Sequence, residues 1–151
     1  MFSRVVKAFT ITVLFIMMSA NSHGKDLACM PADFGGMWYN DMGSVAEVKI
    51  SDGVVSGTYR TSVGQPDKSQ SFPLVGLVQG DQITFTVNFK GYGSMTAWVG
   101  QLVLDDTGRP YIRTLWHLTK DIEDAKEKDD IWGSIRTGAS AFRRKQAITP
   151  P

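Results

Sequence analysis

From residue 35 onward, hydrophobic and polar residues alternate along short stretches that are separated by turn-forming glycines and aspartates. In the clearest example, residues 83–90, large apolar side chains alternate with Thr, Thr and Asn. A period of two places these two sets on opposite faces of a β-strand. The pattern predicts eight strands, over residues 36–41, 45–51, 54–61, 72–78, 83–90, 95–104, 111–120 and 137–145.

The connections between these predicted strands are mostly short. Asp52-Gly53 and Gly80-Asp81 are typical of hairpin turns. The almost entirely charged segment 121–130 is expected to be an exposed loop with room for one helical turn. Eight antiparallel strands without a long helix favour an all-β, closed up-and-down barrel, which leaves no free edge strand and holds one small ligand at its mouth. A β-sandwich is the structural alternative.

The N-terminal segment has a different character from the rest. Arg4 and Lys7 precede an apolar run over residues 8–20, and small polar residues follow. This order is typical of a secretory signal peptide, and the run is short for a membrane-spanning helix of ~20 residues. A retained membrane anchor is the alternative. The predicted organisation is a signal peptide over residues 1–24, an extension over 25–34, the barrel over 35–145 and a disordered tail over 146–151.

Charge and cysteine content exclude some classes of protein. The chain has 16 basic and 15 acidic residues, and loss of residues 1–24 lowers its formal net charge from +1 to −1. No basic stripe interleaves with the aromatic residues, so a nucleic-acid partner is not expected.

Cys29 is the single cysteine of the chain. An exported protein of this composition must therefore fold without an internal disulfide, with Cys29 free or paired between subunits.

Catalytic chemistry has little support in the sequence. After signal cleavage the chain retains one histidine, His117, and it contains no nucleophile elbow and no group of residues with metal-ligand spacing. Asp105 and Asp106 fall in a predicted turn, where carboxylates are normally solvated. The sequence predicts a protein that is not an enzyme and that needs no cofactor.

Four tryptophans, Trp38, Trp98, Trp116 and Trp132, each occur in a short phrase that also contains polar residues or glycine. Large aromatic rings beside Asn, Ser, Thr and Tyr suit a pocket that is half apolar and half polar. Each aromatic residue taken alone is better explained as part of the core of a barrel. The functional interpretation therefore depends on the joint pattern.

That pattern resembles the avidin and streptavidin family of biotin-binding proteins, in its bacterial secreted form. Residues 36–44, with the sequence GMWYNDMGS, are similar to the opening motif of the family. Gly57-Thr58-Tyr59 is similar to its third-strand motif, and residues 138–142 to its closing strand. The phrases occur in the family's order, and the resemblance spans residues 36–142.

The resemblance implies roles for individual residues. Asn40, Ser44 and Tyr59 align with the donors to the ureido oxygen of biotin, and Trp38 with a core residue at the closed end of the barrel. Three neutral donors that converge on one carbonyl oxygen polarise it strongly in a dry pocket. The remaining implied contacts lie along the lid and walls: Thr61 near a ureido nitrogen; Val63 in the lid; Gly64, Gln65 and Ser94 at the carboxylate; Thr96 beside the sulfur; Phe89, Trp98, Trp116 and Leu118 around the rings; and Ser140 in the last strand.

Two positions depart from the family pattern. Ser140 aligns with an Asp or Asn that accepts a hydrogen bond from a ureido N–H, and Phe89 aligns with a position that is often Trp. Loss of a charged acceptor removes a bond worth ~1.5–3 kcal/mol, which corresponds to ~10- to 150-fold weaker binding. Serine can still accept a bond directly or through water. We therefore expect Ser140 to weaken biotin binding without abolishing it.

The resemblance also implies an assembly. Trp132 aligns with a tryptophan that reaches from a neighbouring subunit to cover the ligand, which favours a homotetramer over a dimer. Leu115 and His117 should point outward, Leu115 into a subunit contact. In the alternative interpretation, Trp132 anchors a loop of its own subunit. The competing function is a lipocalin-like carrier of another small ligand, which would not require Asn40 and its partner donors to meet.

Overall fold

The computed structural model describes residues 33–145. The predicted signal peptide, Cys29 and the predicted tail lie outside the described residues. The described chain forms eight strands: β1 (Gly36–Asn40), β2 (Val45–Ser51), β3 (Val54–Arg60), β4 (Phe72–Gln79), β5 (Gln82–Phe89), β6 (Ser94–Leu104), β7 (Pro110–Lys120) and β8 (Ile135–Arg143). Two one-turn helices, α1 (Asp124–Glu127) and α2 (Ile131–Ser134), lie between β7 and β8. Neither helix is long and apolar enough to cross a membrane.

The strands form a closed barrel in which each strand pairs antiparallel with the next, and β8 returns to pair with β1. The predicted up-and-down barrel is therefore confirmed. The hairpin between β2 and β3 has Asp52 at φ 49° and Gly53 at φ 77°, the positive values that a two-residue type I′ turn requires. This turn sets a register that places Ala46 beside Tyr59.

The alternating pattern becomes the inside and the outside of the barrel. Ile83, Phe85, Val87 and Phe89 of β5 are all buried, with Val87 fully enclosed. Burial of a large apolar side chain contributes ~1.5–3 kcal/mol, so this face of β5 is a substantial part of the stabilising core. The predicted solvent-facing residues of β5 lie on the outer face, where Thr84 is exposed.

Trp38 fills the core, as predicted, away from the ligand cavity described below. Its side chain has no exposed surface, and its Nε1 donates a hydrogen bond of 2.8 Å to the carbonyl of Phe34. The Arg144 guanidinium lies 4.2 Å from the centre of the Trp38 ring and covers it from outside. Phe34, from the predicted extension, is itself 1% exposed and packs in the core.

The last strand, expected over residues 137–145, differs most from its expected bounds. The last strand begins at Ile135, because α2 leads directly into it and Thr119 of β7 pairs with Ile135. A Cβ on Gly57 would collide with the carbonyl oxygen of Glu47 on the neighbouring strand. Glycine at this position therefore lets β2 and β3 approach closely just before Tyr59.

Candidate functional site

A cavity of about 400 Å³ lies inside one end of the barrel. The odd-numbered strands end here and the even-numbered strands begin here, so residues far apart in sequence meet. All fourteen contacts expected within one subunit line this cavity: Asn40, Ser44, Tyr59, Thr61, Val63, Gly64, Gln65, Phe89, Ser94, Thr96, Trp98, Trp116, Leu118 and Ser140.

The polar end of the cavity is organised around Asn40. Its Oδ1 accepts hydrogen bonds from the backbone N–H of Ser44 at 2.7 Å and of Met42 at 3.1 Å. These bonds fix the turn between β1 and β2 and occupy the amide oxygen. The amide nitrogen is thereby left on the other side, 3.4 Å from the Tyr59 hydroxyl. Asn40 consequently presents a donor to the cavity.

Two hydroxyl groups accompany this donor. Burial raises the pKa of the Tyr59 phenol above its usual value of 10.0, an effect partly opposed by the nearby Ser44 hydroxyl. The phenol therefore remains protonated at neutral pH and can donate. The Ser44 oxygen accepts a 3.0 Å hydrogen bond from the backbone N–H of Ser62, which leaves its own proton free to donate. The three groups form a neutral, preorganised set of donors.

Aromatic rings form one wall. Trp98 stacks on Phe85 with ring centres 5.0 Å apart and an interplanar angle of 14°, and its centre lies 5.2 Å from that of Tyr59. Phe89 packs edge-on against Phe72 at 5.1 Å. Trp98 Nε1 is fully buried and has no hydrogen-bond partner among the described residues. Apart from Tyr59, the other rings of this wall are phenylalanines, which have no polar side-chain atoms. The wall therefore favours a ligand with a largely apolar surface.

Trp116 lies directly beside Trp98 on the neighbouring strand β7, and its position depends on a glycine. It pairs across β7 and β8 with Gly138. A Cβ built on Gly138 would lie 2.5 Å from Cζ2 of the Trp116 indole. The absence of a side chain at residue 138 therefore lets the indole lie flat against β8. Thr96 and Ser140, each 4% exposed, add hydroxyl groups to the lining.

The loop after β3 closes one side of the cavity. The Thr61 hydroxyl donates to the carbonyl of Val63 at 3.0 Å and accepts from its N–H at 3.1 Å, which stabilises a tight turn. The Ser62 hydroxyl donates to the carbonyl of Gly43 at 2.8 Å and ties the loop to the β1–β2 turn. Val63 and Gly64 remain exposed at the mouth. The segment is held by hydrogen bonds at Thr61 and Ser62 and is exposed at Val63 and Gly64, so it is suited to act as a lid.

Five further residues line the cavity that sequence reasoning missed: Met42, Pro66, Tyr92, Lys120 and Arg136. Two of them carried a usable signal. Lys120 continues the period-two face of Trp116 and Leu118, and Arg136 continues the face of Ser140 at the start of β8. Neither residue belongs to a motif of the family resemblance, and a charged residue at a strand end normally faces solvent. Neither Lys120 nor Arg136 forms an ion pair with a described carboxylate.

Trp132 is the one predicted contact that lies elsewhere. It belongs to α2, is 85% exposed and borders a separate outer groove with His117 and Arg136. A ring so exposed does not anchor a loop within its own subunit. The structure therefore gives no support to that alternative and leaves the Trp132 ring available to another surface.

The acidic groups lie outside the cavity. Asp105 sits in the β6–β7 turn, where hydrogen bonds from the Thr107 hydroxyl and the Arg109 backbone N–H lower its pKa to about 2. Such a carboxylate is a structural part of the turn. The described residues that line the cavity include no Asp, Glu or His. The cavity thus offers donors, apolar walls and two cations to a ligand.

Comparison with known proteins agrees with this geometry. The sequence model of the avidin family matches residues 29–145 of the chain. Avidin from Gallus gallus is 30% identical over 149 residues, which cover 93% of this chain and 96% of avidin. The structure of a biotin binding protein from chicken is 31% identical, with a TM-score of 0.65 and coverage of 77% of this chain and 98% of its own. Xenavidin is 32% identical, with a TM-score of 0.66 and coverage of 76% and 99%.

Proposed function

The chain belongs to the avidin family, and on that premise we propose that it is a non-catalytic, high-affinity binder of biotin. The observation that carries the proposal is the meeting of Asn40, Ser44 and Tyr59 at one end of a barrel cavity. A lipocalin-like carrier would not need these three donors to converge, and no further observation favours it.

The three donors suit the ureido oxygen of biotin. Asn40 is held by the β1–β2 turn, Ser44 by the Ser62 N–H, and Tyr59 by its burial. Donors that are fixed before the ligand arrives lose little conformational entropy on binding. In this interpretation Thr61 approaches a ureido N–H, and Ser140 accepts from a ureido N–H on the β8 side.

The apolar part of the cavity suits the fused rings of the ligand. Phe89, Trp98, Trp116 and Leu118 surround them in this proposal, with the Thr96 hydroxyl beside the thioether sulfur. A volume of about 400 Å³ lies within the ~300–1,000 Å³ range of small-molecule sites. The tail then leaves toward the mouth, past the apolar lid contact Val63. Its carboxylate meets the backbone N–H groups of two lid residues and one hydroxyl: Gly64, Gln65 and Ser94.

We further propose that the protein is exported and assembles as a homotetramer. Val99 and Leu115, paired on neighbouring strands, are 62% and 65% exposed on the outer face of the barrel, and Leu77, 62% exposed, continues the row beyond Thr84. Such an apolar row is typical of a subunit interface. Assembly would also bring Trp132 of one subunit over the cavity of another.

The test is calorimetric titration of the purified mature protein, residues 25–151, with biotin and with desthiobiotin, which lacks the sulfur. We expect saturation near one ligand per chain and tighter binding of biotin than of desthiobiotin. Absence of heat, together with no rise in thermal stability at millimolar biotin, would remove the biotin assignment and leave the barrel without a ligand.

A further inference from the structure

Two positive charges stand at the cavity without a matching negative charge. Lys120 and Arg136 are the cationic residues among its described lining, and no described carboxylate lines it. Arg109 and Arg143 at the opposite end of the barrel, by contrast, both contact Asp105. Lys120 and Arg136 lie within 4.0 Å of no described carboxylate oxygen. Their charge is therefore available to a ligand.

The sheet register places both charges at the mouth. Lys120 is the last residue of β7 and lies directly opposite Ser94, the hydroxyl expected at the ligand carboxylate. Arg136 lies directly opposite Leu118 on the other side of β7. Leu118 and Lys120 share one face, so Arg136 and Lys120 are diagonal neighbours, ~7–8 Å apart at their backbones. Both side chains belong to exposed residues and can follow a ligand tail.

The acidic residues close to this rim face elsewhere. Asp121 and Glu127 border a neighbouring groove that Lys120 and Ser94 also line. The Asp121 backbone is tied to the β5–β6 turn by a 2.7 Å hydrogen bond to the Gly93 carbonyl. These carboxylates lower the field at Lys120, but they do not line the cavity.

We propose that Lys120 and Arg136 form a cationic rim that selects biotin with a free carboxylate over biotin whose carboxyl is capped as an amide, as it is on biotinylated proteins. This inference rests on the proposed function. Hydroxyl and backbone N–H donors bind the oxygen of a carboxylate and of an amide, with some preference for the charged oxygen, whereas an ammonium and a guanidinium group add a direct attraction to the anion. Positive charge at the mouth therefore widens the difference in affinity between the two ligands.

Because Lys120 and Arg136 are exposed to solvent, their contribution to the preference for biotin over biotinamide should be modest. Solvent-exposed charge pairs are weak and are screened by salt. Two such contacts correspond to a preference of ~3- to 20-fold for biotin over biotinamide beyond that of the neutral donors. The same charges also attract an anion before contact, so association of biotin should slow as salt is raised.

The test compares biotin and biotinamide on the wild-type protein, on K120T/R136T and on the control K49T/R113T. The control also removes one lysine and one arginine, but from exposed strand positions that do not line the cavity. Dissociation constants and association rates are measured at low salt and at ~0.5 M salt. We expect the biotin-to-biotinamide preference to fall ~3- to 20-fold in K120T/R136T, to fall further in K120E/R136E, and to persist in the control.

An unchanged preference in both rim variants would overturn the cationic rim while biotin binding itself stands. An equal fall in the control would also overturn it, because net charge alone would then explain the effect. If the wild-type protein binds neither ligand, the proposed function fails first. Thermal unfolding of each variant verifies that the exposed substitutions leave the barrel folded.

Discussion

At Ser140 a hydroxyl stands where a carboxylate or amide oxygen would accept a ureido N–H more strongly. It is 4% exposed and lines the cavity from β8. In Ser140→Asp, a carboxylate would accept that N–H in a charge-assisted bond, so we expect biotin to dissociate ~10- to 150-fold more slowly. Ser140→Asn, a neutral acceptor, should recover less. An off-rate unchanged in Ser140→Asp would mean that Ser140 is not a contact and that the last-strand alignment is wrong.

Tyr59 should give the protein a distinctive response to alkali. Burial raises the pKa of its phenol above 10.0, so the folded state holds the proton more tightly than the unfolded chain. The resulting stability is fully present below pH ~10 and is lost as pH rises through the folded-state value. We expect the free energy of unfolding to fall more steeply above pH ~10 in the wild type than in Tyr59→Phe.

The measurement for Tyr59 is urea unfolding of both proteins across this pH range, with biotin affinity measured in parallel. Tyr59→Phe should bind biotin ~3- to 10-fold more weakly at neutral pH, because one neutral hydrogen bond is lost. Parallel stability curves for the two proteins above pH 10 would show that the phenol does not titrate as its burial requires.

At the scale of single residues, the sequence predicted the neutral lining well and the charged lining poorly. Asn40, Ser44 and Tyr59 stand in motifs whose order is itself informative, and the structure brings them together. Lys120 and Arg136 stand in no such motif, and a charged residue at a strand end normally faces solvent. The period-two pattern put them on the inward faces of their strands, and the β7–β8 pairing shows that they meet at the mouth.

At the scale of elements, the β7–β8 pair forms one wall of the cavity. The Trp116 indole occupies the space that a side chain at Gly138 would take. Gly138→Ala should therefore push the indole into the cavity, weaken biotin binding by ~10-fold and cost ~1–3 kcal/mol of stability. Calorimetry with biotin and thermal unfolding measure the two effects.

The control for this change is Gly80→Ala in the β4–β5 turn. A Cβ there meets nothing within 4 Å, and the φ of 59° costs only backbone strain. Gly80→Ala should lower stability by ~1–2 kcal/mol and leave biotin affinity unchanged. Equal affinity in wild type and Gly138→Ala would show that β8 moves away and spares the ring.

Strand positions were predictable because each alternating stretch is bounded by its own turn signal. The β2–β3 hairpin follows from Asp52-Gly53, whose positive φ values match the turn that this pair favours. The start of β8 was not predictable in this way. Residues 131–136 lack alternation, and the strand begins at Ile135 because pairing with Thr119 of β7 extends it.

At the scale of the whole molecule, closure of the barrel follows from strand count and short connections, but assembly depends on what the outer face carries. Val99 and Leu115 are paired and more than half exposed. In Leu115→Glu, a charge placed in this row would be buried by any subunit contact, so we expect the oligomer to dissociate. Light scattering coupled to size exclusion measures the mass. Ser51→Glu, exposed on β2, is the matched control and should keep the wild-type mass.

A variant of Trp132 distinguishes loss of assembly from loss of the contact that would cover the ligand. Because its ring is 85% exposed and touches a groove outside its own cavity, Trp132→Ala should leave the mass and the unfolding of the protein unchanged. Biotin should nevertheless dissociate ~10- to 100-fold faster, since a buried aromatic contact from the neighbouring subunit is lost. A wild-type off-rate in Trp132→Ala would exclude coverage in trans. Faster dissociation in both Leu115→Glu and Trp132→Ala, with loss of mass only in Leu115→Glu, would establish that one subunit completes the site of another.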